Sequence, residues 1–165
     1  MVKTEVKTIM KNRNLNGSAD FGKVVNELKL KFPSYSVNES AARAMVGAFC
    51  AQLDPAASEL ADIKCAVSEA VTNCIVHAYR DCVGVVYITV KLYEKRLVSV
   101  EIRDRGRGIA DVKLARQPLY TTDAENERSG MGFTVMESFC DKVRVNSGCK
   151  KGTTVTLYKL LKSRA

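Results

Sequence analysis

The sequence predicts an α+β two-layer sandwich, a mostly antiparallel mixed sheet with helices stacked on one face. Three observations carry this. Helical periodicity fills residues 38–78. Strand-like alternation is confined to a short run before it and to the second half of the chain. Two alternating runs are separated only by Glu94-Lys95-Arg96, which makes a hairpin.

Each element has its own signal. Leu28, Leu30 and Phe32 alternate with Lys29 and Lys31, a half-buried strand that Pro33 ends. Ser36-Val37-Asn38-Glu39 has capping-box spacing, so a helix is expected from about Asn38 to Leu53. Asp54-Pro55 reads as an N-cap followed by Pro at the first helical position, starting a second helix. Leu60, Ile63, Val67, Ala70, Val71, Cys74, Ile75 and Ala78 give that helix a broad apolar arc. Val86, Ile88, Val90 and Leu92 alternate with Tyr87, Thr89, Lys91 and Tyr93, and the hairpin partner carries Val98, Val100 and Ile102. Residues 111–116 read as one short helical turn or two. Gln117 to Ser129 has no period and is a long loop, a candidate lid. Gly132 to Cys140 reads as a helix, Val143 and Val145 as a strand, 147–152 as a turn, and Val155 and Leu157 as the last strand.

Size and composition bound the rest. The 165 residues suffice for one domain with a real core. We expect residues 1–22, polar, basic and aperiodic, to be a flexible extension and 23–165 a single domain. No apolar run approaches the roughly 20 residues that span a bilayer, and the N-terminus lacks a signal-peptide apolar region, so a cytoplasmic protein without a membrane partner is expected. Six scattered cysteines without a C-x-x-C pair, with a single His, argue against zinc and for reduced thiols. The net charge of +8 is concentrated at the N-terminus, where residues 1–33 hold seven Lys/Arg against three acids. With no Trp and no basic-aromatic interleaving, direct nucleic-acid binding is not expected.

The chemistry-bearing residues lie in three distant segments. Glu69 and Asn73, at i and i+4, share a side of the second helix, at the margin of its apolar arc. One Asn carbonyl suffices as a protein ligand for Mg²⁺, which keeps waters and takes phosphate oxygens. Glu69 could then act as a general base toward a group attacking the γ-phosphate. His77 extends the same side. Asp104-x-Gly106-x-Gly108 ends a strand, where a carboxylate can accept from an adenine amine and glycines let backbone approach the base. Arg103, Arg105 and Arg107 would favour an ionised Asp104. Gly130-Met131-Gly132 opens a helix whose amides could cradle phosphates. Thr153 offers a hydroxyl near the same end of the sheet. Each signal alone also has an ordinary structural reading: a solvated helix face, a turn, a hinge. Competing nucleotide motifs are absent: there is no P-loop, no G-x-G-x-x-G, and Asp20-Phe21-Gly22 lacks the kinase motifs it would need around it.

In combination and order these segments resemble the nucleotide-binding fold shared by DNA gyrase B, the heat-shock 90 chaperones, sensor histidine kinases and MutL. Closer still, Asn38-Glu39-Ser40-Ala41-Ala42-Arg43, Ala51-Gln52-Leu53-Asp54-Pro55, Val67 to Asn73, Ala115 to Leu119 and Glu127 to Thr134 resemble the sporulation anti-sigma F factors, from about Asn26 to Leu160. The resemblance implies a Bergerat-type ATP-binding fold that takes ATP/ADP and Mg²⁺. It implies Glu69 as catalytic base and Asn73 as Mg²⁺ ligand. Asp104 would read adenine, with Gly106, Gly108, Gly130, Gly132 and Thr153 lining the nucleotide. Arg128 would sense the γ-phosphate, and Arg43 would face protein partners. Those partners would be a sigma factor and an anti-anti-sigma factor phosphorylated on serine, with the chain a homodimer. Ala78, Arg105, Arg107 and Asp123 depart from the family pattern. Two other readings are a stress-response-type anti-sigma binding module, whose nucleotide is mainly structural, and a histidine kinase-like ATPase domain, against which no second His or dimerisation hairpin is present.

Overall fold

A computed structural model describes residues 21–117 and 131–162. Five strands form one sheet: β1 (Val24–Pro33), β2 (Val85–Tyr93), β3 (Leu97–Arg103), β4 (Lys142–Ser147) and β5 (Thr153–Leu160). Their order is β1-β2-β3-β5-β4, and every pairing is antiparallel. The mixed sheet expected from sequence is therefore corrected: no parallel pair occurs among the described strands. Every strand meets its neighbour in opposite sense, including β3 against β5, which are far apart in the chain.

The alternation read from sequence becomes the two faces of this sheet. Val86, Ile88, Val90 and Leu92 of β2 and Val98, Val100 and Ile102 of β3 point to one side and are buried there. Helix α1 (Asn38–Cys50) and helix α2 (Ala57–Asn73) cover that side, with Ala42, Val46, Cys50, Ile63, Ala66, Val67, Ala70 and Val71 in the same core. Among the described residues, a short α3 (Val112–Ala115) and α4 (Gly132–Phe139) are the other α-helices, and α4 packs on α2 with Met136 fully buried. Burial pushes the thiols of Cys50 and Cys140 up to about 12, so both behave as small apolar groups.

Three local expectations are corrected. Ser36 does not cap α1: the N-cap is Val37, without a side-chain bond, and Glu39 instead pairs with Arg43 at 3.3 Å. The backbone already turns before the helix, where Glu39 N–H donates to Ser36 O at 3.2 Å. Asp54 closes the first helical segment rather than opening the second. It ends a 3₁₀ turn (Ala51–Leu53) with φ 46°, a left-handed conformation that Asp tolerates. The second helix starts two residues later, where Glu59 Oε2 accepts from Ala56 N–H at 2.9 Å. Glu59 Oε1 also accepts from Lys162 N–H at 2.9 Å, tying the last described residues to this helix start. Finally, Phe21 and Gly22, expected in the extension, are fixed to the sheet. Phe21 is buried against Leu97, and its carbonyl accepts from Lys95 N–H at 3.3 Å.

Candidate functional site

The last turn of the second helix widens into a π-helical segment, Cys74–Ala78. Such widenings are rare and shift the side chains that follow. Here the segment sets the Ala78 carbonyl against the loop after β3, where Arg107 N–H donates to it at 3.2 Å. A Cβ on Gly106 would collide with that same carbonyl. Close backbone approach is thus the reason for this glycine. Gly106→Ala is expected to lose roughly 1–3 kcal/mol of stability through overpacking. A thermal melt of the variant beside the parent checks this. Gly108 has φ +71°, and a Cβ there would meet the Gly148 carbonyl of the β4–β5 turn. That turn is stapled to the loop by Lys150 N–H donating to Arg107 O at 2.7 Å.

Between these elements opens a cavity of about 460 Å³. Asn73, His77, Asp104, Gly108, Gly132 and Thr153 all line it. Residues from four segments far apart in sequence therefore reach one space. Asp104 forms its floor and is buried. Its Oδ1 accepts from the backbone N–H of Gly106 at 2.9 Å and of Thr153 at 3.1 Å. Cys74 Sγ donates to its Oδ2 at 3.6 Å. Burial raises the Asp104 pKa, and the three hydrogen bonds lower it by less. The arginines beside it do not hold it down, contrary to expectation, because all three are exposed and two have other contacts. Arg105 stacks over the Tyr87 ring with its guanidinium carbon 5.3 Å from the centroid, and Arg107 pairs with Asp81 at 3.2 Å.

Thr153 contributes in two ways. Its N–H holds Asp104, and its hydroxyl lies 2.8 Å from Ser147 Oγ. Ser147 donates its single proton to Gly152 O at 3.0 Å, so Thr153 must be the donor in the hydroxyl pair. The Thr153 oxygen keeps its lone pairs, and a ligand in the cavity meets it as an acceptor.

Gly132, the first residue of α4, brings the other pair together. A Cβ added there would lie 3.3 Å from Glu69 Oε2 and 3.4 and 3.5 Å from Asn73 Oδ1 and Nδ2. The carboxylate and the amide group therefore converge on the start of this helix, where backbone N–H groups lack helical partners. Arg116 Nε donates to Glu137 Oε1 at 2.8 Å, linking the segment after α3 to α4. Arg128 and Gly130 lie outside the described residues, as does most of the long loop. Arg43 lies on α1, away from the cavity. Sequence reasoning placed Cys74 in the core and did not assign it to Asp104. Its signal was present in the spacing of Ala70, Asn73, Cys74 and His77, a helical stripe that lines the cavity. Tyr79 was also missed: its hydroxyl accepts from Arg105 N–H at 2.7 Å and donates to Val85 O at 2.9 Å, clamping the loop after β3.

Residues 32–159 match the family model described as a histidine kinase-like ATPase domain. The chain is 55% identical over 142 residues to a Bacillus subtilis protein named anti-sigma F factor, covering 85% of this chain and 97% of that one. It is 52% identical over 136 residues to the Caldanaerobacter subterraneus anti-sigma F factor, covering 82% and 94%. Among solved structures, the RsbU and RsbW domains of a Mycobacterium tuberculosis protein share the fold, with a TM-score of 0.63 at 22% identity, over 86% of this chain and 34% of that one. The fold and the site thus define a histidine kinase-like ATPase domain, a nucleotide-binding class. Within that class, the chain belongs to the anti-sigma F factor family. Among the described residues no helix is long and apolar enough to cross a membrane.

Proposed function

We propose that this chain is a cytoplasmic anti-sigma factor that captures a sporulation sigma factor and blocks its use by RNA polymerase. We propose further that it is an ATP-dependent serine kinase that phosphorylates, and so inactivates, its anti-anti-sigma partner. The observation that carries the second part is the convergence of Glu69 Oε2 and Asn73 Oδ1 on Gly132, beside a cavity floored by Asp104. A general base is needed only where a hydroxyl is activated.

In this reading ATP lies with its 6-amino group on Asp104 Oδ2, its base beside Gly106 and Gly108, and its phosphates at the start of α4. Gly130, Gly132 and Arg128 contact the phosphates, and Thr153 accepts from the base or an ordered water. The donor set suits Mg²⁺: among the described residues no cluster of His, Cys, Asp or Glu could hold a metal alone. An ion bound through Asn73 Oδ1 would complete its shell with phosphate and water, as Mg²⁺ does. When bound it neutralises phosphate charge. Glu69 takes the proton of the substrate serine, its Oγ forms the new bond to the γ-phosphorus, and ADP leaves. The two relatives' name, and the match to an ATPase-domain family model, support this assignment.

The partner surface is proposed to centre on Arg43, in a homodimer. Its guanidinium is partly exposed and pairs with Glu39 one helical turn away. Glu39 is the more buried partner, with a side-chain exposure of 20% against 43% for Arg43, so the guanidinium keeps a solvent-facing side. Its neighbours Ala41 and Ala44 are small and exposed, and leave it unobstructed. Arg is also enriched where truncation costs about 2 kcal/mol or more at an interface. Arg43→Glu is expected to keep ATP binding and melting temperature while losing capture of both sigma factor and anti-anti-sigma factor. A pull-down of each partner, with ATP and then ADP, checks this. Normal retention of both by the variant would place the surface elsewhere.

A further inference from the structure

Cys74 is a buried thiol in the nucleotide cavity to which the phosphoryl-transfer reading gives no task. An ionised carboxylate offers about four lone-pair positions. At Asp104 the backbone N–H groups of Gly106 and Thr153 fill those of Oδ1 at 2.9 and 3.1 Å. The Cys74 thiol, 3.6 Å away, fills one on Oδ2. One acceptor position remains, on a side chain that lines the cavity. We propose that Cys74 is a positioning and specificity-determining residue for the base, its thiol occupying one acceptor position of Asp104 Oδ2 so that the carboxylate presents a single acceptor to the exocyclic amine at purine position 6. This rests on the reading of Asp104 as the adenine acceptor.

The consequence concerns the wrong base. A 6-oxo purine sets its own lone pair against Oδ2, an arrangement without a proton between two oxygens. A water could relieve it by donating to both, but a water needs room and polar partners. The sulfur occupies that room and already uses the second acceptor position. Removing it by Cys74→Ala clears space beside Oδ2 and admits the bridge. Cys74→Ser keeps a donor on the same stem.

The test titrates ATP and inosine triphosphate, in which a carbonyl replaces the 6-amino group and N1 gains a proton, into the parent protein, Cys74→Ala, Cys74→Ser and Asp104→Asn. Cys74→Ala is expected to bind ATP nearly as the parent does and to gain affinity for inosine triphosphate. The preference for ATP then narrows by about 2- to 10-fold, the worth of one hydrogen bond. Cys74→Ser is expected to keep most of the preference. An unchanged preference in a folded Cys74→Ala overturns the inference. If Asp104→Asn also leaves the preference unchanged, the base reading itself fails. If only Asp104→Asn changes it, Cys74 alone is misassigned. Should Cys74→Ala not fold, the infrared S–H band present in the parent and missing from Cys74→Ser reads the bond directly. It is expected below the frequency of the exposed thiols and to move when ATP binds. A band at the frequency of the exposed thiols overturns the inference.

Discussion

Glu69→Gln is expected to bind Mg·ATP as the parent does and to transfer phosphate about 10²–10⁴ times more slowly, the usual cost of losing a general base. The amide keeps the size of the side chain at the start of α4, where Glu69 Oε2 would lie 3.3 Å from a Cβ on Gly132. Only the proton acceptor is lost. Asn73→Ala should differ, because it removes the amide beside Gly132 and with it the proposed Mg²⁺ ligand, so productive binding falls as well. Single-turnover phosphorylation and an equilibrium nucleotide titration separate the two variants. If Glu69→Gln phosphorylates the partner at the parent rate, Glu69 is not the base and the binding-module reading gains.

The second large effect is expected at Asp104→Asn. A carboxylate accepts from the 6-amino group on any free lone pair, whereas an amide presents its own donor on one side. The Oδ1 position is fixed by the N–H groups of Gly106 and Thr153, so the Asn oxygen is drawn to that side. Its amide nitrogen then faces the base. A charge-assisted bond contributes about 1.5–3 kcal/mol, so affinity for ATP should fall roughly 10- to 100-fold. The fold should survive, because those two N–H groups keep their acceptor.

The raised pKa of Asp104 sets a pH signature for the same residue. Burial makes the carboxyl easier to protonate in the folded chain than at its ordinary value of 3.8. Its contribution therefore favours the folded state fully below that value and is lost as pH rises through the folded pKa. ATP binding runs the other way, since the ionised carboxylate is the stronger acceptor for the amine. Affinity should fall as pH drops into the raised range, and Asp104→Asn should lack that dependence. Parallel titrations of the two proteins across acidic pH measure the difference.

Much of this was legible in the sequence because it depends on periodicity. The alternation of Val86 to Tyr93 and Val98 to Ile102 is the register of one buried face, and the hairpin fell where Glu94 to Arg96 interrupts it. Glu69 and Asn73 share a side because helical geometry demands it, and the structure sets both against Gly132. Local chemistry that several residues compete for was less legible. Ser36 and Asp54 each have a capping side chain, yet the cap of α1 is Val37, and Glu59 serves the start of α2. The sheet was expected to be mixed because pairing between β3 and β5 is a tertiary choice that no local pattern encodes. The sign of the Asp104 shift was hidden for the same reason. Its arginine neighbours in sequence point to solvent, while its neighbours in space are Cys74, Gly106 and Thr153. Cys74 itself was visible as part of an apolar stripe, but only the strand end opposite shows that its thiol faces a carboxylate.

The central claim is that this cavity transfers phosphate to a serine. The most direct measurement incubates the purified protein with Mg·ATP and its anti-anti-sigma partner, then maps phosphate on the partner by mass spectrometry. The expected result is a single phosphoserine that forms with the parent protein and with Arg116→Lys, a side chain outside the proposed machinery, but not on the same timescale with Glu69→Gln. A parent protein that binds ATP tightly, captures the partner and leaves every serine unmodified would contradict it.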